Sequence, residues 1–389
     1  MDAMKTIYAH HKDRFHAAME RIRDAYLHKP VKRPAVVISD VNVAITGETP
    51  SLIPDDYFTS PQVMSEYQLA RIERHIETFD DDYVPLLFPW FGTGVVPSAM
   101  GCEIHFQPKL DPAVGAAVLT CPEDVGRLSL PDPYKDGLMP CVLACIDYMR
   151  ACSDLPVSFT DAQGPLNIAL CLCGLEALCY WMYDAPEAVH RLMDFCTEAL
   201  IAWIKVQKQH AGQKLDGGAF PHCIALPEGF GGVWISDDDC TLLSAELYRE
   251  FVVPYNSRVF EAFGGGTLHF CSTAEHQIEN FQQTRGLTGI NNFCMGNFRQ
   301  IRLMQQAFGE RLAIMVCDFS PLDMEAYYRD LIGQIDFKGV VLASFIAPEF
   351  AMVGGKYVTI SRDRYDVAGQ AWQAIDDACR ARQSAKGEC

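Results

Sequence analysis

Eight short apolar runs alternate with long amphipathic ones along this chain, and that alternation restricts the fold more than any other feature. The runs fall at 35–39, 84–88, 157–160, 217–221, 266–271, 287–293, 312–317 and 339–345. Helical periodicity lies between and after them, at 61–78, 138–152, 166–183, 186–211, 245–263, 274–284, 298–308, 323–336 and 364–382. Strands alternating with helices at this spacing form parallel βαβ units. Eight units predict an α/β fold of the (β/α)8 TIM-barrel type. A doubly wound sheet is the alternative, but no glycine-rich dinucleotide fingerprint follows any run.

Local signals sharpen the boundaries. Asp184-Ala185-Pro186-Glu187 places proline and an acid at a helix start. Ser244, Leu247 and Phe251, with Pro254 one turn on, predict a helix that kinks or restarts. Gly264-Gly265-Gly266 then breaks it before the next strand. Residues 1–80 read as an N-terminal helical extension packed on the barrel, and 81–389 as the barrel itself. Residues 101–120, with Pro108 and Asp111-Pro112 in the middle, read as a β-hairpin insertion.

Composition narrows the function classes. A net charge of −18 over 389 residues argues against nucleic acid as a partner, because phosphate binding needs a basic surface. No run of 18 uninterrupted apolar residues occurs, so no membrane association is expected and the chain reads as cytoplasmic. The 16 cysteines fall largely within apolar helical and strand runs, where a free thiol behaves as a small hydrophobe. Reduced thiols fit better than a disulfide framework, which belongs to short secreted chains.

In a parallel barrel the active site is built at the C-terminal ends of the strands. Those ends carry Trp90, Asp161 and Gln163, His222 and Cys223, His269 and Cys271, Asn291 and Asn292 with Cys294, Cys317 and Asp318, then Ser344 with Glu349 nearby. Residues i and i+2 of a strand share a face, so His269 and Cys271 project side by side. Imidazole and thiolate are preferred zinc ligands. A lone His-x-Cys is more often a core histidine beside a buried thiol, and it is the strand-end position that favours metal. Cys317 is the leading third ligand, ahead of Glu349 and Cys294, and a site with no third protein ligand is the remaining alternative. Asp237-Asp238-Asp239 reads as an exposed loop or helix cap, with Asp238 the candidate that faces the pocket. Trp90, Gln163, Asp238 and Asn292 are the candidate substrate-binding residues. Serine-hydrolase, zincin and P-loop motifs are missing.

Taken in order, several segments resemble the uroporphyrinogen decarboxylase superfamily. They are Gln163-Gly164-Pro165, Cys173-Gly174-Leu175-Glu176-Ala177-Leu178, Tyr183-Asp184-Ala185-Pro186-Glu187, Trp234-Ile235-Ser236-Asp237-Asp238 and Leu268-His269-Phe270-Cys271. The decarboxylase itself fits badly, since Lys32-Arg33-Pro34-Ala35 holds no arginine-rich carboxylate grip. The branch that resembles methylcobalamin:coenzyme M methyltransferases fits better. That resemblance implies a Zn2+ site on His269 and Cys271. It also implies methyl transfer between a small substrate (a methyl ether, a methanol-like donor or a thiol) and a corrinoid, methylcobalamin-type, supplied by a partner corrinoid protein. The chain departs from the branch in two places. Ser344-Phe345-Ile346-Ala347-Pro348-Glu349 lacks the later cysteine, and Ser272 stands where a glycine usually follows the His-x-Cys. The rival reading is a decarboxylase-like or non-catalytic small-molecule-binding barrel of the same superfamily.

Overall fold

Backbone donors decide which apolar runs become ladder strands. The computed structural model describes residues 4–39, 53–107, 111–217, 225–319, 321–345, 350–353, 356–359 and 364–386. Its strands are β1 (Ala35–Ser39), β2 (Ile104–His105), β3 (Ala113–Val114), β4 (Val233–Ser236), β5 (Gly266–Cys271), β6 (Leu287–Phe293), β7 (Ala313–Phe319), β8 (Val340–Phe345), β9 (Phe350–Val353) and β10 (Lys356–Thr359). Six form one parallel sheet in the order β1-β8-β7-β6-β5-β4. Between its two edges, β1 and β4, lie two extended segments joined by single parallel bridges, Leu87 to Val157 and Gln163 to Ser236. These occupy the second and third of the eight expected positions. Pro85, Pro89 and Pro156 lack the N–H a ladder needs, which accounts for bridges in place of regular strands.

The fourth position differs from expectation. It is taken by β4, a wholly buried four-residue run too short to stand out ahead of three aspartates. The run 217–221 lies outside the described residues except for Gly217. The hairpin insertion appears as the antiparallel pair β2–β3, and a second hairpin, β9–β10, follows β8.

The helices are α1 (Ile7–His10), α2 (Lys12–Tyr26), α3 (Pro61–Thr78), α4 (Val95–Ala99), α5 (Met139–Cys152), α6 (Pro165–Cys173), α7 (Leu175–Asp184), α8 (Pro186–Ala211), α9 (Ala245–Phe251), α10 (Val253–Ala262), α11 (Ile278–Gln283), α12 (Phe298–Phe308), α13 (Met324–Gln334) and α14 (Arg364–Lys386). The restart foreseen near Pro254 separates α9 from α10. The single helix expected over 166–183 is two, bent by 103° at Gly174, which adopts φ +82° and so leaves the helical region at little steric cost. Among the described residues no single helix is long and apolar enough to cross a membrane.

The N-terminal segment is built into the barrel as well as packed on it, because β1 pairs with β8 along its whole length. On the other edge of β1, Asp82 accepts from the Val36 amide at 2.9 Å and Asp81 from the Ile38 amide at 2.8 Å. These carboxylates satisfy donors that a regular neighbouring strand would otherwise take. Asp82 also pairs with Arg33 at 2.6 Å and with Arg21 of α2. Tyr26, at the end of α2, hydrogen-bonds Thr267 of β5 at 3.0 Å inside the barrel. Asp82→Ala is expected to lower unfolding free energy by about 2–3 kcal/mol, less than a fully buried pair because both arginines are partly exposed. Urea denaturation measures this, and a loss below about 0.5 kcal/mol would contradict the anchoring role.

Candidate metal centre

Register brings the site together. Gln163 lies opposite Ser236, Ser236 opposite His269, His269 opposite Asn291, and Asn291 opposite Met315, so one level of residues runs around five barrel positions. Trp234, one inward-facing layer below, stacks on the His269 ring with centroids 6.0 Å apart, and Phe293, one layer above, meets it edge-on at 5.6 Å. The two aromatics limit the imidazole's rotation.

His269 and Cys271 share a face, as their spacing requires: Cys271 Sγ is 3.5 Å from His269 Nε2. The third member of the group is Asp238, whose Oδ1 lies 3.6 Å from the same nitrogen. Ligand atoms of all three lie within 4.8 Å of one another. Asp238 sits just past β4, held by the Cys271 backbone amide, which donates to Oδ1 at 2.8 Å. The residue expected to touch substrate thus stands among the candidate ligands.

A hydrogen-bond chain fixes the imidazole. The Asn291 amide nitrogen donates to the Met315 carbonyl at 3.4 Å and to Cys317 Sγ at 2.6 Å. Its oxygen therefore faces His269 Nδ1, the partner in a short hydrogen bond. An amide oxygen accepts, so Nδ1 is the donating nitrogen and Nε2 is the ring nitrogen turned toward Cys271 and Asp238.

Cys317, the expected third ligand, does not join the group. It is fully buried behind Asn291, because β7 is two strands from β5 and the β6 side chain fills the intervening space. Cys294 is also buried, with Sγ 3.7 Å from the Tyr327 hydroxyl. Glu349, His222 and Cys223 lie outside the described residues.

The other expected contact residues are placed as follows. Gln163 donates to Asp161 at 2.6 Å and accepts from Asn167 at 2.8 Å, at the third barrel position. Trp90 donates its indole N–H to Asp111 at 2.7 Å. Asn292 points away from the site: its amide bonds the carbonyls of Phe270 and Ser272, both at 3.1 Å, and Gln300 donates to its oxygen at 2.9 Å. Strand alternation gives the inward place to Asn291, a supporting residue whose role was not foreseen although its adjacency to Asn292 was visible.

Burial, with the Asp238 carboxylate beside it, pushes the Cys271 thiol pKa up. A coordinated cation reverses that order and deprotonates a thiol. Two acids on the outer face of the strands are also perturbed. Asp237 is pushed up to about 7 by burial, against hydrogen bonds from Tyr248 and Asn256 that act the other way. Asp318 is likewise pushed up to about 7 by burial, opposed by Ser344 at 2.7 Å and Tyr328 at 3.0 Å.

Comparison with known proteins agrees with this architecture. The model of the uroporphyrinogen decarboxylase (URO-D) family matches residues 11–215, more than half of the 389 residues, and the chain belongs to that family. A methylated-thiol–coenzyme M methyltransferase of Methanosarcina mazei is 28% identical over 231 residues, covering 58% of this chain and 56% of that protein. A uroporphyrinogen decarboxylase of Syntrophotalea carbinolica is 29% identical over 193 residues, covering 46% and 49%. The chain thus spans about half the length of the curated relatives it matches. A solved methyltransferase structure from Methanosarcina mazei superposes with a TM-score of 0.65 at 18% identity, over 92% of this chain and 98% of that one, which establishes likeness of fold.

Because the folded protein raises the Asp318 pKa from 3.8 to about 7, it holds this proton more tightly than the unfolded chain. The contribution is full below about pH 4 and is lost as pH rises to about 7. Asp318→Asn, in chelator-treated protein, is expected to lessen the fall in urea midpoint between these limits. An undiminished fall would contradict the assignment.

Proposed function

We propose that this chain is a zinc-dependent methyltransferase that exchanges a methyl group between a small substrate and a corrinoid carried by a partner protein. The observation that carries the reading is the Asp238–His269–Cys271 group at the C-terminal end of the barrel. A tetrahedral zinc with donors about 2.0–2.3 Å away needs neighbouring donors about 3.3–3.8 Å apart. The Cys271–His269 and His269–Asp238 separations, 3.5 and 3.6 Å, match that requirement. The donor chemistry also fits, with one nitrogen, one sulfur and one carboxylate oxygen. The likeness to a methylated-thiol–coenzyme M methyltransferase supports the same branch.

Zinc bound there would act as a Lewis acid, lowering the pKa of a substrate thiol or polarising a methyl ether or alcohol oxygen. The chain's own residues prepare the place. His269 offers Nε2 in one tautomer, because Asn291 holds Nδ1–H. Asp238 is restrained by the Cys271 amide, so that its carboxylate remains beside the imidazole. Trp234 and Phe293 flank the ring and keep water from two of its sides. Gln163, Asp161 and Asn167 set a polar network at the third barrel position, two strands around from His269, where the polar part of a small substrate is placed in this reading. Trp90 is assigned to the substrate wall near the hairpin insertion.

The reading is tested by metal content and turnover in parallel. Protein purified without chelator is expected to hold about one zinc per chain and to demethylate free methylcobalamin with a panel of small thiols, read as loss of methyl–cobalt absorbance. Cys271→Ala and Asp238→Ala are expected to lose metal and turnover together, whereas Cys317→Ser retains the metal. Full zinc in Cys271→Ala would remove the site. Turnover that survives complete zinc removal would remove the mechanism.

A further inference from the structure

Two adjacent asparagines on β6 face opposite sides of the sheet, and each is tied to a different member of the His-x-Cys pair. On the inner face, Asn291 bonds the imidazole of His269. On the outer face, Asn292 bonds the carbonyls of Phe270 and Ser272, the residues on either side of Cys271, each at 3.1 Å. Gln300 of α12 completes this outer grip: its amide reaches the Ser272 carbonyl at 3.0 Å, and its oxygen accepts the Ala274 amide at 2.7 Å. Asn291, Asn292 and Gln300 are all fully buried.

What they hold is a strained turn. Ser272 adopts φ +66°, a left-handed conformation that costs a non-glycine residue free energy. Its amide donates to the Phe293 carbonyl at 2.8 Å, so the backbone is fixed on both sides of the Ser272 Cα. Relaxing this residue would rotate the peptide that follows Cys271 and alter where its sulfur points.

We propose that Asn291-Asn292 is a two-sided bracket that preorganises the metal pair, Asn291 positioning the His269 nitrogen from inside the barrel and Asn292, with Gln300, positioning the Cys271 sulfur from outside. Both are positioning residues, and the assignment rests on the proposed metal site. The two arms differ in one testable respect. The outer arm restrains backbone, so a glycine at 272, which adopts positive φ without steric cost, removes much of the need for it. The inner arm restrains a ring, and glycine at 272 does nothing for it.

The experiment compares zinc affinity, by competition with a chromophoric chelator, across Asn291→Leu, Gln300→Leu and Asn292→Leu, each with and without Ser272→Gly. Each single change is expected to weaken binding by about 10–100-fold, the usual effect of losing a partner behind a metal ligand. Ser272→Gly is expected to restore most of the loss in the Gln300 and Asn292 variants and none in Asn291→Leu. Asn291→Asp, which keeps an acceptor for Nδ1–H, is expected to bind zinc within about tenfold of the unaltered protein. A metal-independent readout is the rate at which iodoacetamide alkylates Cys271 in chelator-treated protein. It is expected to rise severalfold in Gln300→Leu and to fall back with Ser272→Gly.

Equal rescue of both arms by Ser272→Gly, or rescue of neither, would overturn the bracket. If the unaltered protein binds no zinc while the alkylation pattern appears as described, the metal reading fails and the outer arm stands. If zinc binds and none of these changes alters affinity, the metal reading stands and the bracket fails.

Discussion

The parallel register of β6 against β5 is the constraint on which the site depends. It sets His269 opposite Asn291 and Phe270 opposite Asn292, and strand alternation then sends the two asparagines to opposite faces. A slip of one residue would turn Asn291 outward and place Asn292 against the imidazole from the wrong height, undoing both holds at once. The bulge between Gly266 and Thr267 lies at the far end of the strand, so the ladder is regular from Thr267 through Cys271, where it matters. The aliphatic strand interiors and the outer helices keep that ladder in place, and the polar residues at its C-terminal end exploit a geometry they did not have to create.

Charge is distributed around this ladder in layers. At the mouth, a carboxylate, an imidazole and a thiol converge. On the outer face, Asp237 and Asp318 are buried against the hydroxyls of Tyr248 and Tyr328. At the opposite edge of the sheet, Asp81 and Asp82 hold β1 and the arginines of the N-terminal segment. Much of the acidic excess that the composition displays is scattered over exposed surface, but Asp81, Asp82, Asp237 and Asp318 are buried, and each binds a specific loop, strand edge or helix.

The fold was legible in the sequence to the extent that apolar period and punctuation dictate it. The strands at 35–39, 266–271 and 287–293 and the helices at 61–78, 186–211 and 298–308 coincide with β1, β5, β6, α3, α8 and α12. Where prolines interrupt an apolar run, at 84–88 and before 157–160, hydrophobicity survives but the ladder does not, and the sequence pattern does not distinguish the two. The break at Gly174 is visible as a glycine, although only the bend itself shows that helix α7 turns away. Of the site, the His-x-Cys pair was plain from period two. The third partner was not, because it depends on which loop returns to the mouth. Cys317 lies on a strand that points the right way, yet Asn291 on the intervening strand occupies the space through which it would reach. Asp238 arrives from a loop, held by a backbone amide that no side-chain pattern announces.

X-ray absorption at the zinc edge of the loaded protein decides which side chains hold the metal, because it counts the atoms around it by type. Coordination by Asp238, His269 and Cys271 predicts one sulfur at about 2.3 Å and the remaining neighbours nitrogen or oxygen at about 2.0–2.2 Å. Two sulfurs in the first shell would place Cys317 or another cysteine on the metal in place of Asp238 and contradict it.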